Sequence, residues 1–329
     1  MNFEEVEVPQ PLTQGERDKK RRGSDKRRAS NTRYERSAKG KHRRTHYRHS
    51  NSKHQTDAQY LAREFRAWDG EGVTLDDGSH IYTMLAAKTR GKQSVDILDT
   101  MGLPTLAILQ FVLDTVGDSD AINVVYGGSY DFNMWLSDLQ PELLDEVYRK
   151  PSVMWHGFRI AWRRGKSFTV SRFDSFGNRI GKAATIYDCV SFFQTAFVRA
   201  CDAYLGDEWE GRDIIVASKN RRGAFDLSEQ TDVRAYNDLE LDRLLDLMYE
   251  LRARLNKVGL RPRRWDGPGA IAAALLQREG VKEHMAETPP DVARAARFAY
   301  AGGRFEVVKF GHSDQPVYEY DVNSAYPAA

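Results

Sequence analysis

This sequence has little cysteine and no long apolar run. Only Cys189 and Cys201 occur in 329 residues, and two thiols cannot form the disulfide framework of a small secreted domain. No stretch approaches the roughly 20 apolar residues of a membrane-spanning helix, and the N-terminus has no apolar signal core. We therefore expect a soluble protein in the reducing cytoplasm, with no membrane partner.

Apolar side chains are also scarce at the start of the chain, where no Val, Ile, Leu or Phe occurs between Leu12 and residue 57. Over residues 1–56, 16 Lys or Arg face 7 Asp or Glu. Such a segment cannot bury enough surface to offset its ordering entropy. We predict a disordered basic arm over residues 1–59. Either it contacts nucleic acid through phosphates, with a marked salt dependence, or it is a solvated tail or a misassigned translation start.

From residue 60 onward the sequence alternates between strand and helix patterns. The segments AREFRAWDGEG and SHIYTMLAAK read as a strand pair, with the first strand ending in a glycine-rich bend. A helix over 103–116, a buried strand in AINVVYGG, a three-run antiparallel meander over 153–188 and a long amphipathic helix over 236–256 follow. This order predicts an α/β fold in which helices flank a mixed sheet.

Carboxylates occur at the ends of several of these predicted elements. Asp69 and Glu71 are two apart in a strand and therefore project to one face, although the pair alone is equally typical of a solvated turn. Asp131 follows the buried strand at the mouth of a helix, where it is either a third ligand or a helix N-cap. Each motif taken alone has an ordinary structural explanation.

The long helix adds a fourth candidate. Tyr236 and Glu240 are one turn apart and share a face, whereas Asp238 and Asp242 should point away. A phenol beside a metal-binding carboxylate can orient an attacking water. The alternative is a charged, solvent-facing helix surface.

Carboxylates from separate elements suit Mg²⁺ or Mn²⁺, which prefer oxygen ligands. In a two-metal site, ions about 3.5–4 Å apart activate water and stabilise the leaving 3′ oxygen of a phosphodiester. Lys219 could neutralise the scissile phosphate, or it belongs to a surface basic cluster. The candidate set therefore indicates phosphodiester hydrolysis.

In chain order, Asp69-Gly70-Glu71, Tyr130-Asp131 and Tyr236-x-x-x-Glu240 resemble the three exonuclease motifs of family B DNA polymerases, in particular the protein-primed branch of phages and mobile elements. The resemblance implies an RNase H-like 3′→5′ proofreading exonuclease with metal ligands Asp69, Glu71, Asp131 and Glu240. By the same resemblance Tyr130 contacts DNA, and Tyr236 and Lys219 are catalytic. The family's usual third-motif acid is Asp, so Asp238 stays open as an alternative to Glu240.

Two further segments resemble parts of the polymerase domain. Tyr300-Ala-Gly302-Gly303 is similar to the family's template-binding loop, and the segment YDVNSAYP is similar to polymerase motif A. The resemblance gives Asp321 a metal-binding role, and it gives Asp321, Ser324 and Tyr326 roles in nucleotide binding. A simple turn and an edge strand are the ordinary alternatives.

The resemblance divides the chain into an exonuclease domain over 60–256, a helical linker over 257–299 and the start of a polymerase palm over 300–329. It implies single-stranded 3′ ends and primer-template DNA as partners, with dNTPs and a terminal protein primer for the whole enzyme in a bacterial host. A second palm carboxylate and a basic finger helix do not occur within the 329 residues, so we expect no primer extension by them alone. A free-standing exonuclease and an inactive nucleic-acid-binding remnant stay open as alternatives.

Overall fold

A computed structural model describes residues 57–75, 77–221, 230–281 and 289–299. The chain divides into two compact units, Met1–Ala274 and Leu275–Ala329. The division lies after residue 274, whereas the sequence placed the end of the first domain at 256, and the domain functions stay predictions. Residues 1–56 of the predicted arm and the polymerase-like motifs lie outside the described residues; these motif positions are Tyr300, Gly302, Gly303, Asp321, Ser324 and Tyr326.

The first unit is built on an eight-stranded mixed sheet with the order β3-β2-β1-β4-β8-β7-β6-β5. The strands are β1 Phe65–Thr74, β2 His80–Thr89, β3 Val95–Leu98, β4 Ile122–Val125, β5 Val153–Trp155, β6 Phe158–Arg163, β7 Ser167–Phe173 and β8 Arg179–Asp188. Strand β4 is parallel to both β1 and β8, and the other neighbouring pairs are antiparallel. The predicted mixed sheet is confirmed.

Helices pack around this sheet. They are α1 Asp57–Ala62, α2 Thr105–Val116, α3 Ser129–Met134, α4 Pro141–Arg149, α5 Val190–Phe193, α6 Phe197–Leu205, α7 Arg212–Asn220, α8 Gln230–Lys257 and α9 Pro268–Arg278. The second unit contains the last residues of α9, and it also contains helix α10, Pro290–Ala299. In the part of the chain that is described, no helix combines the length and the apolar character needed to cross a bilayer.

Local differences from the sequence prediction have clear causes. Strand β3 was not predicted, because its four residues are too few to show a period. Helix α1 begins at Asp57, two residues before the predicted end of the arm at residue 59. The run MWHGFRIAW forms two strands, since His156 and Gly157 adopt positive φ values of 45° and 78° and turn the chain back. The expected end of the first strand in a glycine-rich bend is wrong: β1 continues through Gly70 and Gly72 to Thr74, with a register shift between Glu71 and Gly72.

The two faces of the sheet bury separate cores. Trp68 of β1 and Leu85 of β2 belong to one core together with residues of α2 and α3. Ala67 and Met84 belong to the other core, which α8 covers with Leu244 and Met248. Because side chains alternate along β1, Asp69 follows Ala67 onto the α8 face.

Gly70 is the point where β1 is closest to a buried side chain of the neighbouring strand. A Cβ atom on Gly70 would lie 1.7 Å from the Tyr82 hydroxyl and 2.7 Å from the Met84 carbonyl oxygen. Tyr82 is only 2% exposed, and its hydroxyl is hydrogen-bonded to Asp131 and Trp135. The middle position of the Asp-Gly-Glu motif therefore has to be glycine for steric reasons.

We expect Gly70→Ala to lower the free energy of unfolding by at least about 2 kcal/mol, because a buried side chain or the β1 backbone must shift. Urea unfolding followed by tryptophan fluorescence measures the loss. Gly269→Ala is the matched control, since a Cβ atom there meets nothing within 4 Å and alanine favours a helix by up to about 1 kcal/mol. Equal effects of the two substitutions would contradict the steric explanation.

Candidate metal-dependent active site

The site lies where β1 extends past the end of β4. The last β1 residue paired with β4 is Ala67, opposite Val124, so Asp69 and Glu71 lie beyond the carboxyl end of β4. The chain leaving β4 enters α3 at this edge and brings Asp131 to the same place. The parallel arrangement of the central strands thus brings together two predicted motifs that are about 60 residues apart.

Three carboxylates converge at this edge. One ligand oxygen each from Asp69, Glu71 and Glu240 lie within 4.8 Å of one another. Glu71 and Glu240 are buried, with exposures of 4% and 5%. Oxygens that share one Mg²⁺ ion at 2.0–2.1 Å lie about 2.9 Å apart when cis and about 4.2 Å apart when trans, so the three side chains would move inward to share an ion.

Besides Glu240, helix α8 supplies Asn237, which contacts Asp69. Asn237 Nδ2 donates a hydrogen bond of 3.0 Å to Asp69 Oδ2, and Asn237 is 1% exposed. It lies one turn before Glu240 on the same helix face, where a buried amide can fix the orientation of a carboxylate. Sequence reasoning missed Asn237, although its i, i+3 spacing from Glu240 was a readable signal.

Asp238 and Asp242 lie on another face of α8, as predicted. Lys88 Nζ donates to Asp238 Oδ2 and to Asp242 Oδ2, both at 2.8 Å. Lys88 belongs to β2, so these ion pairs connect the helix face that carries Asp238 and Asp242 to the sheet. The carboxylate of Glu240, and not that of Asp238, is grouped with Asp69 and Glu71.

Asp131 is fixed by a buried aromatic pair. The Tyr82 hydroxyl donates to Asp131 Oδ1 at 2.8 Å and accepts a hydrogen bond from Trp135 Nε1 at 3.0 Å. Burial, together with the nearby Asp131 carboxylate, raises the pKa of Tyr82 well above its ordinary value, so the phenol stays protonated. Asp131 does not act as the N-cap of α3, because Gly128 occupies that position.

The turn before α3 is held by Asp188, at the end of β8. Its Oδ1 accepts hydrogen bonds from the backbone N–H groups of Gly127 at 2.9 Å and Val190 at 3.1 Å. Burial raises the pKa of Asp188, and these backbone donors oppose that rise. Sequence reasoning did not single out Asp188, because the partner that links it to the site, Gly127, is 61 residues away.

Lys219 lies in the last turn of α7 and reaches the acidic cluster. Its Nζ forms an ion pair with Glu240 Oε1 and lies 5.1 Å from the centroid of the Phe197 ring. The ammonium group therefore stands beside the carboxylates and not in a solvated surface cluster. A cation here offsets part of the repulsion among the acids.

The carboxylates line a cavity of about 560 Å³. Its acidic side is formed by Asp69, Glu71, Asp131 and Glu240, and its lining also includes Tyr126, Phe197, Lys219, His80 and Tyr130. Tyr130 is 42% exposed. Tyr236 is 2% exposed and belongs to the core beneath α8, and it is not among the described residues that line the cavity.

These residues fit a hard divalent cation. The donors are carboxylate oxygens, which Mg²⁺ and Mn²⁺ prefer, and no thiol or imidazole belongs to the converging group. The two cysteines, Cys189 and Cys201, are buried, and burial raises the pKa of Cys201 to about 12. Asp131 lines the cavity but is not one of the three converging carboxylates.

No protein-family model matches the sequence, and no curated protein matches it. Among solved structures, the chain is similar to Phi29 DNA polymerase complexed with single-stranded DNA, at 11% identity and a TM-score of 0.44. It is also similar to the same polymerase in a ternary complex with primer-template DNA and incoming nucleotides, at 10% identity and a TM-score of 0.45. Each alignment covers 74% of this chain, which spans about two-fifths of the length of those structures.

Proposed function

We propose that residues 60–256 form an RNase H-like, metal-dependent 3′→5′ exonuclease that degrades single-stranded DNA. The observation that carries this proposal is the convergence of Asp69, Glu71 and Glu240 within 4.8 Å, with Lys219 beside them. Carboxylates from a strand and a helix, with one lysine ammonium group beside them, are suited to metal-dependent phosphodiester hydrolysis. Bound Mg²⁺ or Mn²⁺ would supply the Lewis-acid stabilisation of the developing charge.

Each residue of the site has a role in this proposal. Asp69, Glu71 and Glu240 would hold the cations, with Asp131 contacting a second ion. Asn237 orients Asp69 through the 3.0 Å hydrogen bond, and Tyr82 holds Asp131. Lys219 would move from Glu240 toward the scissile phosphate, a short displacement for a flexible side chain.

The role proposed for Tyr236 has to be narrower than a direct contact with water. Tyr236 is 2% exposed beneath α8, in the core that also contains Leu244 and Met248. A buried ring at i−4 from Glu240 packs against the helix face that carries the carboxylate. We propose that Tyr236 supports the position of Glu240 from the preceding turn of α8.

The wider assignment, the N-terminal part of a family B DNA polymerase, rests on the order of the sequence motifs. Asp321, Ser324 and Tyr326 in a motif A arrangement favour it, because a free-standing exonuclease has no need for that segment. The roles of primer-template DNA, dNTPs and a terminal protein belong to this proposal. A reading frame that continues beyond codon 329 into a lysine-bearing helix and an Asp-Thr-Asp-like turn would distinguish it from a free-standing exonuclease.

An inactive nucleic-acid-binding remnant is the third alternative. The presence of Asp69, Glu71 and Asp131 around one cavity argues against it. Buried carboxylates that no longer bind a cation cost stability, because a charge removed from water needs compensation. Loss of the acids by drift would be expected in a domain that only binds DNA.

We expect Asp69→Ala combined with Glu71→Ala to reduce exonuclease turnover more than about a hundred-fold, since loss of a metal site removes several kcal/mol of transition-state stabilisation. The assay follows digestion of a 5′-labelled single-stranded oligonucleotide in Mg²⁺ or Mn²⁺. Asp145→Ala combined with Glu146→Ala, two acids of α4 paired only with Arg149 and Lys150, is the control. Unchanged digestion by the Asp69/Glu71 variant would show that the assigned site is wrong.

Metal binding distinguishes whether Glu240 or Asp238 is the ligand from α8. In the wild-type chain, Mn²⁺ at about a hundred times its dissociation constant should stabilise the fold by about 2.7 kcal/mol. Glu240→Gln should remove most of this gain, whereas Asp238→Asn, whose carboxylate pairs with Lys88, should retain it. The midpoint of thermal unfolding with and without Mn²⁺ measures the difference, and the reverse pattern would make Asp238 the ligand.

A further inference from the structure

His80 was not among the candidate residues, and the structure places it at the rim of the cavity. It is the first residue of β2, and it lines the cavity together with Tyr130. His80 Nε2 and the Tyr130 hydroxyl share a hydrogen bond of 2.6 Å. The contact joins residues 50 positions apart and ties the start of β2 to the start of α3.

The other ring nitrogen of His80 is also engaged. His80 Nδ1 and Thr74 Oγ1 lie 3.1 Å apart, across the β1–β2 pair. The chain Thr74, His80, Tyr130 therefore fixes both ends of the imidazole, and the ring planes of His80 and Tyr130 meet at 61° with their centroids 5.7 Å apart. A ring with both nitrogens bonded has little freedom to rotate.

Gly72 makes room for this contact. A Cβ atom on Gly72 would lie 2.6 Å from both His80 Nε2 and the Tyr130 hydroxyl. The glycine that follows Glu71 thus has a steric reason, as Gly70 has on the side of Tyr82. Together the two glycines leave room beside β1 for Tyr82, His80 and Tyr130.

We propose that His80 is a positioning residue that fixes the Tyr130 ring at the rim of the cavity as a stacking surface for a base of the single-stranded substrate. The 42% exposure of Tyr130 leaves much of the ring accessible, and aromatic faces stack on nucleic-acid bases without sequence preference. The hydrogen bond reduces the rotational freedom that Tyr130 would otherwise lose on binding. This inference rests on the proposed exonuclease function and adds a determinant of strand binding.

Two readouts test the proposal. The first is the dissociation constant of a fluorescein-labelled single-stranded deoxyoligonucleotide, measured by anisotropy in Ca²⁺, with the integrity of the oligonucleotide checked on a gel. The second is the division between KM and kcat for its digestion in Mn²⁺. We expect His80→Ala and Tyr130→Phe each to raise the dissociation constant and KM about three- to ten-fold, with kcat and the Mn²⁺-induced thermal shift unchanged.

The double variant decides whether the two residues act through one contact. Loss of a shared hydrogen bond should make the combined effect no larger than that of either single substitution. His80→Gln, which keeps a side-chain hydrogen-bonding group, should recover part of the affinity. Tyr148→Phe is the matched control, because its hydroxyl donates to Asn133 Oδ1 at 2.8 Å outside the cavity lining.

The outcomes separate this proposal from the exonuclease proposal. Additive effects of His80→Ala and Tyr130→Phe, or unchanged dissociation constants, would overturn the positioning role even if the wild-type chain digests DNA. If the wild-type chain does not digest DNA but the binding pattern is as expected, the exonuclease proposal fails while the role of His80 stands. A fall in kcat with unchanged KM would also contradict a role in strand binding.

Discussion

The site depends on the packing of α8 against the face of β1 that carries Asp69 and Glu71. A strand presents its side chains to alternate faces and a helix presents one stripe, so a single apolar contact between them sets which polar residues meet. Leu244 and Met248 bury α8 against Ala67 and Met84. One to two turns earlier on α8, Asn237 and Glu240 then come to lie over the two carboxylates. The core thus positions the acids.

Two glycines of the same strand, Gly70 and Gly72, leave space for side chains of β2 and α3. Tyr82 occupies the space beside Gly70 and holds Asp131, and Tyr130 and His80 occupy the space beside Gly72. A Cβ atom at either position would lie within 3 Å of these side chains and of a β2 carbonyl oxygen. The Asp-Gly-Glu-Gly segment therefore has two functions: its acids face α8, and its glycines admit the groups that fix the third acid.

The sequence could predict the elements but only part of their arrangement. The 3.6-residue stripe of α8 and the period of two along β1 are local properties, and the stripe places Glu240 on a different face from Asp238 and Asp242, which pair with Lys88. The strand order β1-β4-β8 is not local, and it alone explains why Asp188, from the last strand, holds the turn before Asp131. Asn237 and His80 were missed for a related reason: the contacts that link them to the site are with Asp69 and Tyr130, which are 168 and 50 residues away.

Repulsion among the carboxylates of the acidic cluster favours the binding of a cation there. Three carboxylates, those of Asp69, Glu71 and Glu240, each place an oxygen within 4.8 Å of the other two, and like charges at such distances repel. Lys219 pairs with Glu240 and offsets the repulsion for one member of the group. A divalent cation would contact all three acids at once, which a single ammonium on one carboxylate does not do. Binding of such an ion would also release Lys219 from Glu240, so the group that compensates the acids without metal becomes available to a phosphate when metal is bound.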